Sequence, residues 1–238
     1  MSNIARMMQR ATAGAGGAGL DVDEVFSTFL YDGTGSNQTI TNGIDLSGEG
    51  GIVWIKDRGT ASFSDNSISH DGAGFHQTHQ TYAYGASSQY ITSFNSNGFT
   101  IGTSRSESSH NYVSWTWRKA PKFFDIVTWS GNSTNGRAIS HNLGTTVGAI
   151  FIKETSDSSE KWRVYHRSHF SSSSFSVGSL NETSSFDGSN DIFNNQHPSS
   201  TQFYLGGSGY GVNESGETYV AYLFAHNNND GEFGPSAD

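Results

Sequence analysis

The sequence predicts an all-β protein made of two tandem antiparallel β-sandwiches of jelly-roll type, which follow a short N-terminal arm. Composition is the first observation behind this prediction. Only 33% of the 238 residues are apolar and 15% are charged, whereas 13% are aromatic and 29 residues are Gly. Helical bundles depend on Ala, Leu, Glu and Lys, and disordered chains are poor in aromatic residues. The mixture therefore favours short aromatic strands joined by polar loops.

An ordered set of repeated motifs is the second observation. Five motifs recur in the same order after roughly 100 residues, and their spacing changes only within loops. This order predicts that the two sandwiches arose by internal duplication. The pairs are Leu30–Gly35 with Thr128–Asn132, Ile40–Ile44 with Ile139–Leu143, Gly51–Lys56 with Gly148–Lys153, Gly98–Gly102 with Gln202–Gly206, and Tyr112–Trp117 with Tyr219–Phe224.

Residues 1–24 form the predicted arm. Ser2 can cap a helix of two turns, on which Ile4, Met7 and Met8 share one face. So short a helix needs a docking surface, and the Gly/Ala run at 13–19 would tether it to the first strand. We expect Ile4, Met7 and Met8 to dock the arm on a neighbouring subunit. A frayed terminus is the alternative.

The two sandwiches are predicted at residues 25–120 and 121–228, and a polar tail follows at 229–238. Pro121 suits the boundary between the sandwiches. Alternation in Tyr112–Trp117 predicts that Val113, Trp115 and Trp117 face the core and that Tyr112 is half exposed. The strands predicted in the second sandwich are Phe124–Trp129, Arg137–His141, Ala149–Glu154, Trp162–His166, Phe175–Val177, Gln202–Leu205 and Thr218–Ala225.

Charge and cysteine content exclude several classes of partner. Thirteen Lys and Arg against 22 Asp and Glu give a formal charge of −9, which disfavours binding to nucleic acid or to an anionic membrane. No apolar run approaches the length of a membrane span, so we expect no membrane insertion. The absence of Cys removes disulfides and thiolate catalysis, and fits folding in a reducing cytoplasm.

The search for catalytic or metal-binding motifs predicts neither an enzyme nor a cofactor or metal site. No segment combines a nucleophile, a base and an orienting group. His76 and His79, like His166 and His169, have H-x-x-H spacing, but residues i and i+3 of a strand point to opposite faces. A metal held on a loop or across a symmetry axis is one alternative. Calcium at the acidic turns 187–191 and 229–232 is another.

Two aromatic loop regions are candidate contacts for a glycan. Residues 71–90 contain Phe75, Tyr82, Tyr84 and Tyr90 among His, Gln and Gly, and residues 206–216 contain Tyr210 and Asn213. Lectin-like sandwiches bind sugars with aromatic faces and loop amides. The alternative is that these aromatic residues cover the sandwich ends or lie in a subunit interface.

Several of these motifs resemble a repeat found in structural proteins of tailed phages, which is frequent in marine phages and cyanophages. The resemblance covers residues 25–227 and is carried by 50–58, 92–102, 112–117, 162–166 and 212–222. The first copy departs from it at 62–71, where the Trp-x-Val-Tyr-His strand of the second copy has no clear match. The resemblance implies no catalytic residues in this chain.

The resemblance implies a structural virion protein, located in the tail fibre or tail tip and assembled in the cytoplasm of the bacterial host. The arm would attach it to other virion proteins, and the sandwich loops would contact a glycan of the host surface. By analogy with phage fibres we expect a homo-oligomer, with a trimer favoured. A capsid decoration or head-fibre protein with a stabilising role is the alternative, followed by a tail glycan hydrolase.

Overall fold

A computed structural model describes residues 21–59, 66–171, 174–186, 188 and 191–227. The predicted arm residues Ile4, Met7 and Met8 and the predicted tail at 229–238 lie outside the described residues. Within the described part, one short helix accompanies antiparallel strands, so the predicted all-β sandwich class is confirmed. No helix there is long and apolar enough to span a membrane.

The elements of the first unit run from α1 to β9. They are α1 Val22–Val25, β1 Phe26–Asp32, β2 Gln38–Thr41, β3 Gly51–Asp57, β4 Asn66–Ser69, β5 Gly74–Gln77, β6 Gly85–Ala86, β7 Ile91–Asn95, β8 Gly98–Ile101, a 3₁₀ turn at Thr103–Arg105, and β9 Asn111–Arg118.

The second unit runs from β10 to β18. Its elements are β10 Phe124–Ser130, β11 Arg137–Ser140, β12 Val147–Glu154, β13 Arg163–His166, a 3₁₀ turn at Arg167–His169, β14 Phe170–Ser171, β15 Ser174–Phe175, β16 Gly178–Ser179, β17 Gln202–Leu205 and β18 Thr218–Ala225.

Among the described residues, each unit contains one large and one small antiparallel sheet that face each other, and the second unit also has the two-stranded hairpin β14-β15. The first unit pairs the large sheet β1-β9-β3-β4-β5-β6 with the small sheet β2-β8-β7. Gly98 begins β8 at φ +131°, where an added Cβ would lie 2.0 Å from the Ile40 carbonyl oxygen of β2, so only glycine fits. The core between these sheets consists of Tyr31, Ile40, Ile44, Leu46, Val53, Ile55, Ile91, Phe99, Ile101 and Tyr112.

The second unit repeats this arrangement with the large sheet β10-β18-β12-β13-β16 and the small sheet β11-β17. The first four strands of its large sheet therefore follow the same order as β1-β9-β3-β4. Ile150, Ile152, Phe203, Leu205 and Leu223 are fully buried in the core between its sheets. Descent of the two units from one duplicated sequence stays a prediction, as do their boundaries.

A third core lies between the two large sheets, and we call it the seam. Its fully buried members come from both units: Ile52, Ile68, Phe124, Trp162, Val220 and Tyr222. Successive residues of a strand point to opposite faces, so Val53 and Ile55 of β3 face the small sheet while Ile52 faces the seam. The molecule is thus a stack of four sheets in which both large sheets are covered on both faces.

Because both faces of the first large sheet are covered, the predicted exposure of one residue of β9 is wrong. Tyr112 is only 1% exposed and stacks on Tyr31 in the first core, with ring centroids 5.1 Å apart, so the expectation that it is half exposed is wrong. Val113, Trp115 and Trp117 lie on the opposite face of β9, so the expectation that they face the core of their own sandwich is wrong, and Trp117 packs against the seam instead. Strand alternation identifies residues that share a face, and in a doubly covered sheet neither face is open to solvent.

Six of the seven strands predicted in the second unit are present, with small shifts at their ends, and the one expected at Trp162–His166 begins at Arg163. The strand expected at Phe175–Val177 is wrong, because β15 ends at Phe175 and β16 begins at Gly178. In the first unit, β4 pairs with β3 as β13 pairs with β12, although this region lacks the Trp-x-Val-Tyr-His motif. A strand therefore occupies the position where the sequence offered no clear match.

Candidate functional site

Residues 71–90, which the sequence marked as a glycan-contact region, run along the seam together with His70, and we call residues 70–90 the seam segment. The Tyr84 amide donates to the Thr155 carbonyl oxygen at 2.9 Å, and the Ala83 amide donates to Ser158 Oγ at 3.3 Å. A further hydrogen bond of 2.9 Å joins His70 Nδ1 to the Tyr222 hydroxyl. The segment thus belongs to the first unit but is fastened to the second.

His76 is the buried centre of this segment. Its ring centroid lies 5.4 Å from that of Trp162 and 4.8 Å from that of Tyr84. Burial, followed by the Lys153 ammonium, lowers the pKa of His76 to about 3, against a smaller opposing effect of the Tyr82 backbone. Neither ring nitrogen makes a hydrogen bond of standard geometry to the described residues. His76 is therefore a neutral packing residue at ordinary pH, and the sequence alternative of a metal ligand gains no support from its surroundings.

Tyr84 is held in place by an aspartate turn. Asp71 Oδ1 accepts hydrogen bonds from the Ala73 amide at 2.8 Å, from the Gly74 amide at 2.9 Å and from the Tyr84 hydroxyl. A Cβ on Gly74 would lie 2.2 Å from the Tyr84 ring, so glycine is required for the ring to fit. These contacts with Asp71 and Gly74 give Tyr84 a structural role and leave little of its ring accessible to a ligand.

Phe75 and Tyr90 form a stack that ends on an arginine. The two rings are nearly parallel, with centroids 3.6 Å apart, and Arg105 Cζ lies 4.3 Å from the Tyr90 centroid. Both faces of Tyr90 are therefore occupied within the protein. Phe75 is half-buried at the end of this stack.

Tyr82 differs from the other three aromatic residues of the seam segment. It is 55% exposed, whereas Phe75, Tyr84 and Tyr90 are each partly covered. The neighbouring Ala83 is fixed to the second unit by its bond to Ser158. Tyr82 is thus an exposed aromatic side chain on a rigidly held backbone, which is the arrangement that stacking on a sugar ring requires.

The two remaining glycan candidates lie in the second unit and do not join the seam segment. The Tyr210 hydroxyl donates to Asp191 Oδ2 at 2.9 Å, and the ring packs against the core of the second unit. Asn213 is fully buried, and its amide nitrogen donates to the Thr134 and Gly206 carbonyl oxygens at 2.9 and 3.3 Å. The geometry gives Asn213 a structural role, so the six candidates do not form one site.

A carboxylate pair that the sequence did not reveal lies at the end of β12. The Tyr219 hydroxyl is 3.2 Å from Glu154 Oε2 and 2.6 Å from Glu214 Oε2. Burial raises the pKa of Glu154 to about 7. Burial opposes ionisation of Glu214 as well, but hydrogen bonds from Tyr219 and the Gly211 amide lower its pKa. No local pattern marks this pair, because its members lie on separate strands and loops.

The carboxylate pair has the chemistry of a glycosidase, but a substrate cannot reach it. Acid and base carboxyl groups whose pKa values are driven apart are typical of glycoside hydrolysis. Glu154, however, is only 2% exposed, so a glycosidic bond cannot reach it in this conformation. Among the described residues, no three His, Asp or Glu side chains converge in a way that could hold a metal ion.

Comparison with known proteins adds one finding. A family model described as "Domain of unknown function (DUF7483)" matches residues 21–235, which include both units and the seam. No curated protein and no solved structure matches the chain. The match covers nine-tenths of the sequence and begins immediately before α1.

Proposed function

The chain belongs to the DUF7483 family, and we propose that it is a structural virion protein of a tailed bacteriophage, located in the tail fibre or tail tip. The observation that carries the proposal is the seam, which unites two sandwiches into a single stack of four sheets. The motifs that resemble the phage repeat supply β3, β9, β13 and β18 of the two large sheets. The resemblance thus concerns the strands that build this stack.

A rigid stack suits a part of the particle that transmits force. The connection between β9 and β10 spans only residues 119–123, and the Lys122 amide donates to the Leu143 carbonyl oxygen at 2.6 Å. This short, hydrogen-bonded link and the apolar seam support a fixed orientation of the two units. Interfaces as apolar as a protein core hold neighbouring units in a fixed orientation.

Recognition of a host-surface glycan is the second part of the proposal. Tyr82 presents its ring to solvent, and the two residues that follow it, Ala83 and Tyr84, are hydrogen-bonded to the second unit. We assign Tyr82 as the principal contact and Phe75 as its half-buried neighbour in the same segment. Tyr84, Tyr90, Tyr210 and Asn213 support the loops around them through the contacts described above.

Oligomerisation through a sheet edge is also proposed. Strand β1 pairs with β9 alone among the described strands, and Leu30 on β1 is 58% exposed. An open edge strand with an exposed apolar side chain is a template for association. Sedimentation of the full chain should give a trimer, and a stable monomer at high concentration would contradict this assignment.

Removal of residues 1–24 from the phage gene tests attachment by the arm. The variant protein should fold, as judged by circular dichroism, but should be missing from purified particles. Deletion of residues 229–238 is the matched control and should leave incorporation unchanged. Normal incorporation of the protein without residues 1–24 would overturn the role of the arm.

A tail glycan hydrolase is the second candidate, favoured by the Glu154–Glu214 pair. Incubation of the protein with host polysaccharide would then release reducing ends, and Glu154→Gln would abolish the release. The burial of Glu154 favours the structural role, for which we expect no release of reducing ends by the wild-type protein.

A further inference from the structure

A groove on the second unit arises from an irregularity at the start of β12. The pairing of β12 with β18 shifts between Val147 and Ala149, which is the mark of a β-bulge. Gly148 lies at this bulge, where an added Cβ would approach the Ala225 carbonyl oxygen to 3.0 Å. Bulges often occur next to binding sites because they redirect the strand and its side chains. The groove that results has a volume of about 260 Å³.

The groove combines apolar surface with nitrogen-bearing side chains. Ala149, Phe224 and Ala225 contribute apolar surface, while His166, Arg167 and His226 contribute nitrogen groups, and no Asp or Glu lines it. The formal charge of the whole chain is −9, so this local composition is opposite to that of the protein as a whole.

The geometry on one side of the groove is fixed by short-range contacts. A hydrogen bond of 2.8 Å joins His166 Nδ1 to Ser168 Oγ, and His166 pairs with Ala149 in the register of β12 and β13. Arg167 begins the 3₁₀ turn that follows β13. The sheet therefore holds His166 beside the bulge, and the Arg167 side chain, which also lines the groove, is held by a hydrogen bond to Tyr165.

We propose that this groove binds a carboxylated monosaccharide of the hexuronic acid class. The Arg167 guanidinium matches the planar, two-oxygen geometry of a carboxylate, and the imidazoles of His166 and His226 line the same groove. Phe224 provides an apolar surface for the C–H face of the sugar ring. The volume of about 260 Å³ lies just below the roughly 300–1,000 Å³ of ligand pockets and suits a single ring rather than a long oligosaccharide.

Neither a simple anion nor a neutral sugar satisfies the whole groove. An inorganic anion such as sulfate makes no use of the apolar surface. A neutral hexose would leave the guanidinium without a charged partner and would cost its desolvation. The inference rests on the proposed recognition of host glycans and names an acidic sugar as the ligand class.

Calorimetric titration of the full chain with glucuronic acid, glucose and sodium sulfate tests the proposal. We expect glucuronic acid to bind at least about tenfold more tightly than either glucose or sulfate. Arg167→Gln should weaken glucuronic acid binding by about tenfold or more, and Arg167→Lys should restore only part of it. Arg58→Gln, which changes an exposed arginine of the first unit, is the matched control and should bind as the wild type does.

Equal affinity for glucose and glucuronic acid would overturn the proposal, as would unchanged binding by a folded Arg167→Gln variant. Sulfate binding as tight as that of glucuronic acid would show that the groove binds anions in general, and would also overturn the proposal. The test of glucuronic acid binding and the test of the virion role can fail independently of each other. Absence of the protein from phage particles would refute the virion role and leave glucuronic acid binding intact, whereas a missing glucuronic acid signal would leave particle incorporation untouched.

Discussion

His76 and Trp162 pack edge to face across the seam, with ring centroids 5.4 Å apart and ring planes inclined by 76°. His76 belongs to β5 of the first unit, and Trp162 immediately precedes β13 of the second. Both side chains are fully buried. This contact lies in the apolar layer that couples the two sandwiches, so stability and its pH dependence should respond to changes at either residue.

Trp162→Ala should be strongly destabilising because it opens a cavity in the seam. Truncation of a buried Trp typically costs about 3–5 kcal/mol of the free energy of unfolding. Urea unfolding followed by circular dichroism measures this loss. Val22→Ala is the control, since Val22 is 44% exposed, and it should change stability by no more than about 0.5 kcal/mol. Similar small effects for both variants would contradict the seam as a stabilising core.

His76→Phe should remove part of the acid sensitivity of the protein. Burial, followed by Lys153, lowers the folded-state pKa of His76 to about 3, from an ordinary value of 6.5, so the unfolded chain takes up this proton first as the pH falls. The contribution of neutral His76 to the free energy of unfolding is therefore fully present above about pH 6.5. It is lost as the pH falls toward 3, by at most about 1.4 kcal/mol per pH unit.

Urea unfolding between pH 7 and pH 4 measures this effect. The free energy of unfolding of His76→Phe should fall less steeply with acidity than that of the wild type. The exposed His169 supplies the control variant, His169→Phe, which should follow the wild-type slope. Parallel curves for wild type and His76→Phe would show that His76 does not set the acid response. The other groups near His76, namely His70, Asp71, Tyr84, Lys153 and Tyr222, remain in both proteins.

Glu154→Gln should have an effect of opposite sign. Burial raises the folded-state pKa of Glu154 to about 7, from an ordinary value of 4.5, so the folded chain holds this proton to higher pH than the unfolded chain. The wild type therefore loses stability through this group as the pH rises from about 4.5 to about 7. Glutamine cannot ionise, so the stability of the variant relative to wild type should increase across that range.

The same pH series of urea unfolding curves tests this expectation. Glu107→Gln is the control, because Glu107 is exposed. A stability difference between Glu154→Gln and wild type that is constant with pH would contradict a raised pKa at Glu154.

Gly33→Ala and Gly131→Ala should destabilise the protein for the same reason in each unit. An added Cβ would lie 1.9 Å from the Glu107 carbonyl oxygen at Gly33, and 1.9 Å from the Glu214 carbonyl oxygen at Gly131. Forced overpacking of this kind costs about 1–3 kcal/mol. Gly48→Ala is the control, since its nearest contact is Asp45 Oδ2 at 3.8 Å. Thermal unfolding of the three variants measures the cost, and a neutral Gly33→Ala would refute the close approach.

Tyr82→Ala should weaken binding to host cells without weakening the fold. Its side chain is 55% exposed, so truncation should change the free energy of unfolding by no more than about 0.5 kcal/mol. Fluorescently labelled protein should adsorb less to host cells when Tyr82 is replaced, and Tyr82→Phe should adsorb as the wild type does. Equal adsorption of Tyr82→Ala and wild type would remove Tyr82 from the glycan site.

The sequence predicts the strands well because each strand has local alternation and aromatic content. Phe124–Trp129, for example, is recognisable from its own residues. The faces of the strands were harder to assign, as the burial of Tyr112 shows, because period-two alternation does not say how many layers cover a sheet. The seam contact of His76 with Trp162 joins residues distant in sequence, so no local motif marks it. Glu154 likewise contacts a residue distant in sequence, Tyr219, so no local motif marks its burial.

Quantitative mass spectrometry of purified particles of the phage that encodes this chain tests the central proposal most directly. We predict that the protein is present in every preparation and in few copies relative to the major capsid protein, as a tail fibre or tail tip component would be. Copy numbers comparable to those of the capsid protein would contradict the tail assignment and favour a decoration role. Absence of the protein from purified particles would contradict the virion role itself.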